Sequence, residues 1–391
     1  MLPLPDVQLY LRPGIIEFGW GHPDAALLPV EAISAAAAHA LAGAGQSALA
    51  YGAEQGPGRL IEQLRRFLAT REDNPPDPAQ LMITGGVSQA LDLLCTLLTK
   101  PGDIVLVEAP TYHLSLRIMR DHGLDLIPVP TDAQGLRVDA LEGLLELLQA
   151  HGRQPRLLYS VPTFSNPSGA TMPAERRAAL SAIARRAGFY VIEDDVYREL
   201  WYDTLPPAPL FAMGAAGPVI RLGSFSKILA PGLRLGWMQA PPEIVRRCVG
   251  GGLLDSGGGV NHFTAHVVAA LFELGLVEAH LDQLRQAYQQ RRNRLLEALA
   301  HNLPSGCTWM PPLGGYFIWL RLPEGLNSAE LLPQAEASGV AYLPGTRFFT
   351  GDEGHQYLRL SFSLLPLADL AEGSRRLGAL LRNHESFAGS A

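Results

Sequence analysis

From Leu81 to Ile192 the chain repeats one pattern, a short apolar run followed by a segment with apolar residues at helical spacing. Leu81 to Ile83, Ile104 to Val107, Leu126 to Val129, Leu157 to Ser160 and Tyr190 to Ile192 read as strands. Ser88 to Leu98, Thr111 to His122, Val138 to Ala150 and Ala174 to Ala187 read as the helices between them. Strands that are apolar throughout are covered on both faces, and a helix between successive strands returns the chain to run parallel. The fold class is α/β, a large domain of mostly parallel sheet wrapped by helices. In such sheets ligands gather at the carboxyl ends of the strands, so polar residues just beyond those ends carry the most information.

The rhythm changes after Met238. Val277 to Ala300 predicts one long helix able to bridge two lobes, and Tyr316 to Leu320 and Tyr357 to Ser361 predict strands of a smaller α+β lobe. A chain of 391 residues exceeds what one core usually supports. The expected division is residues 1–44 as an N-terminal arm and part of the small domain, 45–280 as the large domain, and 281–391 as the C-terminal small domain. The tail after Asn383 is expected to fray.

A net charge of −7 with no basic block argues against nucleic acid as a partner. No apolar run is long enough to span a bilayer, and Met1 to Pro5 lacks a signal-peptide pattern, so a cytoplasmic protein with no membrane partner is expected. Cys95, Cys248 and Cys307 lie far apart in apolar segments, which fits core thiols better than a disulfide framework or a metal site.

Ser224 to Arg234 sets Lys227 among the hydroxyls of Ser224 and Ser226, with Arg234 seven residues on. A lysine amine condenses with an aldehyde, while hydroxyls and a guanidinium take a phosphate, so the group suits a phosphorylated aldehyde such as pyridoxal phosphate. A solvated loop is the competing reading. It is weakened by the apolar runs Val219 to Leu222 and Leu235 to Met238 on either side, because a lysine between buried strands is costly without a purpose.

The other groups that such a cofactor needs have candidates, each with a plainer alternative. Thr84 to Gln89 joins a strand to a helix, where the amides of Val87 and Ser88 would face an anion, or Ser88 would simply cap the helix. Glu193-Asp194-Asp195 follows the Tyr190 strand, and a carboxylate there can keep a pyridine nitrogen protonated, although acids also bind metals and cap helices. Tyr197, and Asn166 in Ser165-Asn166-Pro167-Ser168-Gly169, would donate to a ring hydroxyl, or the Asn-Pro pair is only a turn. Tyr112 would stack on a flat ring or pack in the core. Arg359, among apolar neighbours in a strand, would hold a substrate carboxylate or form an internal salt bridge. Gly250 to Gly252 and Gly257 to Gly259 follow no strand and fit no dinucleotide frame, so a mobile loop is expected there.

Taken together, these residues resemble the fold type I pyridoxal-phosphate aminotransferases, most closely the 2-aminoadipate and kynurenine aminotransferase group and the aminotransferase-like half of GntR-type regulators. The resemblance runs from about Arg12 to Arg382, through Thr84 to Leu91, Asn166 to Gly169, Asp194 to Tyr197, Ser224 to Arg234 and Arg359. It implies transfer of an amino group between an L-amino acid and a 2-oxo acid by a ping-pong cycle. It further implies Lys227, Asp194 and Tyr112 as the catalytic set, with Lys227 linking the cofactor and moving the proton. Cofactor binding would fall to Val87, Ser88, Tyr112, Asn166, Asp194, Tyr197, Ser224, Ser226, Lys227 and Arg234, with Tyr51 reaching across from the other subunit of a homodimer. Arg359, Asn166 and Gly21 would bind substrate.

The chain departs from the family at Val87, where a serine is usual, in a nearly absent segment before Arg12, and in the glycine-rich Asp255 to Asn261. Those differences leave the amino donor open. Regulators of the family carry a winged-helix domain ahead of this part, and the short stretch before Arg12 favours a free-standing enzyme. Another pyridoxal reaction (lyase, decarboxylase or cyclase) and a non-catalytic sensory domain remain the alternatives.

Overall fold

In the computed structural model, residues 6–72, 75–213 and 217–388 are described, with side chains to Asn383. Met1 to Pro5, read above for a signal pattern, lies outside them. Strand β1 (Ile16–Glu17) belongs to the N-terminal arm. The main sheet takes β2 (Leu81–Thr84), β3 (Ile104–Ala109), β4 (Asp125–Asp132), β5 (Gly135–Leu136), β6 (Pro155–Ser160), β7 (Tyr190–Asp194), β8 (Val219–Ser224) and β9 (Gly236–Gln239). Its order is β2-β9-β8-β7-β6-β3-β4-β5. The run from β8 to β4 is parallel, while β9 lies antiparallel between β2 and β8, and β5 closes the far edge antiparallel to β4. The expectation of a mostly parallel sheet wrapped by helices is met.

Central strands are apolar because both faces are covered. Val105, Val107, Leu157, Ile192, Ile220 and Leu222 pack on one side with Leu91 and Leu94 of the helix Val87–Leu98. Leu106, Leu158 and Val191 pack on the other with Leu180 and Ile183 of the helix Ala174–Ala187. Strand alternation also divides the three acids after Tyr190. Glu193 and Asp195 enter a buried ion cluster, and Asp194, pointing the other way, does not. Arg177 Nη1 lies 3.5 Å from Glu193, and Asp195 Oδ2 accepts from Arg198 Nε at 2.5 Å and from Arg221 Nε at 2.8 Å. Arg221 also pairs with Glu72. Removing one partner strands the others in a dry interior, so Asp195→Ala is expected to cost about 3–5 kcal/mol, read as a lowered urea midpoint.

Strands β10 (Thr308–Trp309), β11 (Phe317–Arg321), β13 (Leu343–Pro344) and β14 (Tyr357–Ser361) form an antiparallel sheet ordered β10-β11-β14-β13. The arm strand β1 pairs in parallel with β12 (Val340–Ala341). The long helix is continuous from Leu276 to Asn302, across position 280/281, and packs on the helix Leu367–Ala388. Toward the main sheet it is tied through Arg285 Nε to Glu199 O at 2.8 Å and through Arg292 to Asp203. The last helix continues through the segment expected to fray, and residues 389–391 lie outside the described ones.

The glycine-rich segment differs from the loop expected. Gly252–Gly257 is a short helix, followed by Gly258 and Gly259 at φ 67° and 83°. This left-handed turn sits against the chain at 51–53, where a side chain on Gly259 would lie 2.3 Å from Ala53 O. Cys95 and Cys248 are buried, as expected of core thiols.

Candidate active site

Lys227 lies in the turn between β8 and β9, and the turn is pinned at its base by Phe225 N donating to Leu235 O at 3.1 Å. Its Nζ donates to Gly21 O at 3.1 Å and lies 5.6 Å from the centre of the Tyr316 ring, whose hydroxyl donates to Lys227 O at 3.3 Å. Burial, helped by the Arg359 charge, lowers the amine to about 8. A lysine so perturbed is a functional candidate rather than a solvated one.

Asp194 ends β7 on the same side. Its Oδ2 accepts from Tyr159 Oη at 2.5 Å, and its Oδ1 is buried with no hydrogen-bond partner. Burial raises this carboxyl to about 6, against the opposing effect of the Tyr159 bond. The helix-cap reading holds for Glu193, which accepts from Leu210 N at 2.8 Å and Phe211 N at 3.1 Å at the start of the helix Leu210–Met213. No metal-binding group of acids is found among the described residues, Asp195 serves the arginine cluster, and Asp194 Oδ1 is left without a partner.

Arg359, in the middle of β14, donates through Nη1 to Asn166 Oδ1 at 2.9 Å and through Nη2 to Gly19 O at 2.7 Å, while its buried Nε has no partner. Among the described residues it makes no ion pair, so the internal salt bridge is not what holds it. The rings of Phe317 and Phe348 lie 4.0 and 5.1 Å from its guanidinium carbon. Burial lowers its pKa to about 10, which still leaves a cation at neutral pH. Gly21 must be small here, because a Cβ would stand 2.7 Å from Phe317. The segment 19–21 thus offers one carbonyl to Arg359 and another to Lys227.

Asn166 sits in a turn closed by Gly169 N donating to Ser165 O at 2.7 Å. Tyr197 is buried edge-on to Tyr316 and Phe317, at 5.3 and 5.8 Å, with its hydroxyl pKa pushed up by burial. Tyr112 precedes the helix His113–Asp121, which begins two residues later than the Thr111 start expected, because the extended backbone of Tyr112 forms the N-cap. Burial raises its hydroxyl to about 12.

The helix Val87–Leu98 begins at Gly86 with no side-chain cap, so Ser88 does not close its end. The first amides, those of Val87 and Ser88, therefore remain available to an anion. Gly86 has φ 94°, and a Cβ there would stand 3.2 Å from Arg234 Nη2. Arg234 is itself held at φ 47° and donates to Gly85 O at 3.4 Å. A non-glycine residue at positive φ costs about 1–3 kcal/mol and is tolerated where the surroundings impose it. Ser224 Oγ accepts from Ser226 N at 3.0 Å and keeps its own proton to donate. Gly86→Ala is expected to weaken phosphate binding about tenfold or more, measured as cofactor affinity, by straining the turn and displacing Arg234.

Tyr51 stands apart from this group, 87 % exposed. Lys227, Gly21, Arg359 and Asn166 are linked through the segment 19–21, with Asp194 and Tyr197 close enough to act on their charges. Arg234 meets the start of the Val87–Leu98 helix at Gly85 and Gly86, and Ser224 bonds Ser226. Tyr159, Tyr316 and Phe348 belong to the cluster although reasoning from sequence left them out.

At the carboxyl ends of a parallel sheet, a perturbed lysine, an unsatisfied carboxylate oxygen and an open helix end together suit an enzyme that works on a phosphorylated carbonyl group. Residues 13–377 match the family model described as aminotransferase class I and II, and the chain belongs to that family. It is a pyridoxal-phosphate-dependent aminotransferase of fold type I. An aromatic-amino-acid aminotransferase of Thermococcus litoralis is 36% identical over 94% of this chain and 88% of its own. A kynurenine aminotransferase structure from Pyrococcus horikoshii superposes with TM-score 0.91 at 36% identity, covering 95% of this chain and 91% of its own. The α-aminoadipate aminotransferase LysN of Thermus thermophilus, solved with N-(5'-phosphopyridoxyl)-L-leucine, superposes with TM-score 0.86 at 33% identity, covering 96% of this chain and 94% of its own.

The residues fit pyridoxal phosphate on their own chemistry. The orphaned Asp194 Oδ1 suits a protonated ring nitrogen, and the uncapped helix end with Arg234 suits the phosphate.

Proposed function

We propose that this site moves an amino group from an L-amino acid to a 2-oxo acid in two half-reactions, with Lys227 as the acid-base and Arg359 as the carboxylate anchor. The observation that carries the reading is that, among the described residues, Lys227 and Arg359, both cationic donors, are held by uncharged acceptors, two of them on the shared segment 19–21. Pyridoxal phosphate, when bound, supplies an electron sink that makes the hydrogen on the amino acid's α-carbon acidic. The amides of Val87 and Ser88, with Ser224, Ser226 and Arg234, would hold the phosphate. Asp194 would accept from the ring nitrogen and keep it protonated, and Tyr112 would cover the ring face.

With Asn166 Oδ1 occupied by Arg359, its amide Nδ2 is the donor left for the ring hydroxyl, beside the Tyr197 hydroxyl. Arg359 Nη1 and Nη2 now donate to Asn166 and Gly19, and a substrate carboxylate would take their place. The unpaired Nε adds a third donor. Lys227, freed from Gly21 O, is then the base within the cleft that takes the α-proton and returns it.

We further assign residues 1–44, 45–280 and 281–391 as arm, large and small domains, and place the enzyme in the cytoplasm, where buried thiols such as Cys95 and Cys248 stay reduced. A homodimer with composite sites is part of the same reading. Support comes from Leu49, Tyr51 and Leu253, which are 69, 87 and 75 % exposed on neighbouring segments. Tyr51 would reach the other subunit's phosphate.

The test is a half-reaction. Loaded protein is mixed with single amino acids, beginning with the aromatic ones, kynurenine and 2-aminoadipate that the relatives' names suggest. Stoichiometric release of the matching 2-oxo acid is expected. Ammonia or carbon dioxide without exchange would instead establish a lyase or decarboxylase.

A further inference from the structure

Strand β6 runs beside β7, with Tyr159 opposite Ile192 and Ser160 opposite Glu193. Tyr159 is fully buried among Val105, Val107, Ile192 and Leu222, yet its hydroxyl emerges at the strand ends against Asp194. Among the described residues that hydroxyl is the one side-chain donor to this carboxylate, beside the backbone N–H of Val196. A carboxylate held at one oxygen rotates less, and here the hold leaves Oδ1 as the free end. Ser115 stands behind the pair: its Oγ donates to Tyr112 O at 2.6 Å, and its hydroxyl also bears on Tyr159.

We propose that Tyr159 is the positioning residue for Asp194: its hydroxyl fixes the carboxylate so that Oδ1 faces the cofactor nitrogen, and it favours the ionised form that the nitrogen requires. The inference rests on the reading of Asp194 as the ring-nitrogen partner. Tyr159 touches neither substrate nor reacting atoms and acts through the carboxylate alone.

The bond has a chemical consequence for the empty and loaded states. A buried aspartate that loses its side-chain donor and keeps only the weaker pull of the Val196 N–H takes up a proton more readily, and a neutral acid binds a protonated ring poorly. Tyrosine at this place supplies the hydrogen bond without adding a charge, so the negative carboxylate remains the only counter-ion for the nitrogen. Phenylalanine keeps the packing and removes the bond.

The experiment is a double-mutant cycle of Tyr159→Phe and Asp194→Asn in the full chain, read by pyridoxal phosphate affinity and by the pH titration of the loaded protein's visible absorbance. A charge-assisted bond to a buried carboxylate corresponds to a loss of about 10- to 100-fold. Tyr159→Phe should weaken cofactor binding by that factor and shift the titration in the native background. Against Asp194→Asn it should change affinity less than about threefold.

If Asp194→Asn itself leaves affinity and spectrum unchanged, the reading of Asp194 falls, and this inference with it. If Asp194→Asn acts but Tyr159→Phe does not, or Tyr159→Phe acts equally in both backgrounds, only the role of Tyr159 is overturned. Thermal unfolding of the cofactor-free variants separates these outcomes from a folding defect, which would weaken binding equally in both backgrounds. Should Tyr159→Phe not fold, Ser115→Ala is read the same way, with a smaller shift of the titration expected and no shift counting against the proposal.

Discussion

Replacing Lys227 with alanine should lower the transamination rate by about 10⁴-fold or more while the protein still folds and still takes up pyridoxal phosphate. Acid-base catalysis alone accounts for about 10²–10⁴-fold, and loss of the covalent tether adds to it. The Val87 and Ser88 amides and Asp194 lie on other segments and are untouched by the change. Uptake should therefore become reversible by dialysis, and the colour of the loaded native protein should be lost.

The native lysine has a further signature in pH. An ordinary lysine begins at 10.5, and burial brings this one to about 8, so at pH 7 about two orders of magnitude more of it is unprotonated. The direction follows from which form reacts: only the free amine attacks an aldehyde, so capture of the cofactor should speed up as pH rises and level off above about 8. Stopped-flow uptake across pH 6 to 10 measures it. A rate still climbing steeply beyond pH 9 would mean that the amine is not desolvated. Arg359→Met should move the midpoint upward, because its charge is the second cause of the depression.

Much of the site was readable because its chemistry needs residue types that are out of place among apolar runs. Lys227 between two buried strands, Asp194 at a strand end and Arg359 inside β14 each violate the local pattern, and among the described residues none of them forms an ion pair. What stayed hidden obeys the pattern. Tyr159 is one aromatic in an apolar strand and reads as core, and its partner is 35 positions away, brought close only by the β6–β7 register. Phe348 sits in the Gly345–Phe348 turn far from Arg359 in sequence, and nothing in its neighbours marks it.

The glycine-rich stretch misled in the opposite direction. Glycine is a poor helix former, so Gly252–Gly257 carried no helical signal, and its conformation depends on packing against the segment around Tyr51. Ser88 failed as a cap for a related reason. Gly86 at φ 94° turns the chain two residues earlier than a Ser88 cap would, leaving the amides open.

Arg359→Met should lower kcat/KM about 10²–10⁴-fold while leaving the folded state within about 2 kcal/mol of the parent. The first figure follows from losing two charge-assisted hydrogen bonds to a carboxylate, each worth about 1.5–3 kcal/mol, at 1.36 kcal/mol per decade. The second follows from the free state. A buried cation with no counter-ion is itself costly, and methionine removes that cost while leaving the Asn166 and Gly19 oxygens short of a donor. These opposing terms are of similar size, so the net change is small. Asp195, whose partners are permanent arginines, should behave the other way, with a large loss of stability. Arg359→Lys should recover less than about tenfold, because a single ammonium cannot reproduce the planar fork. Kinetics and urea unfolding on these variants separate the two cases. If Arg359→Met unfolds as readily as Asp195→Ala, the guanidinium is a structural strut between Gly19 and Asn166 rather than the group waiting for a substrate carboxylate.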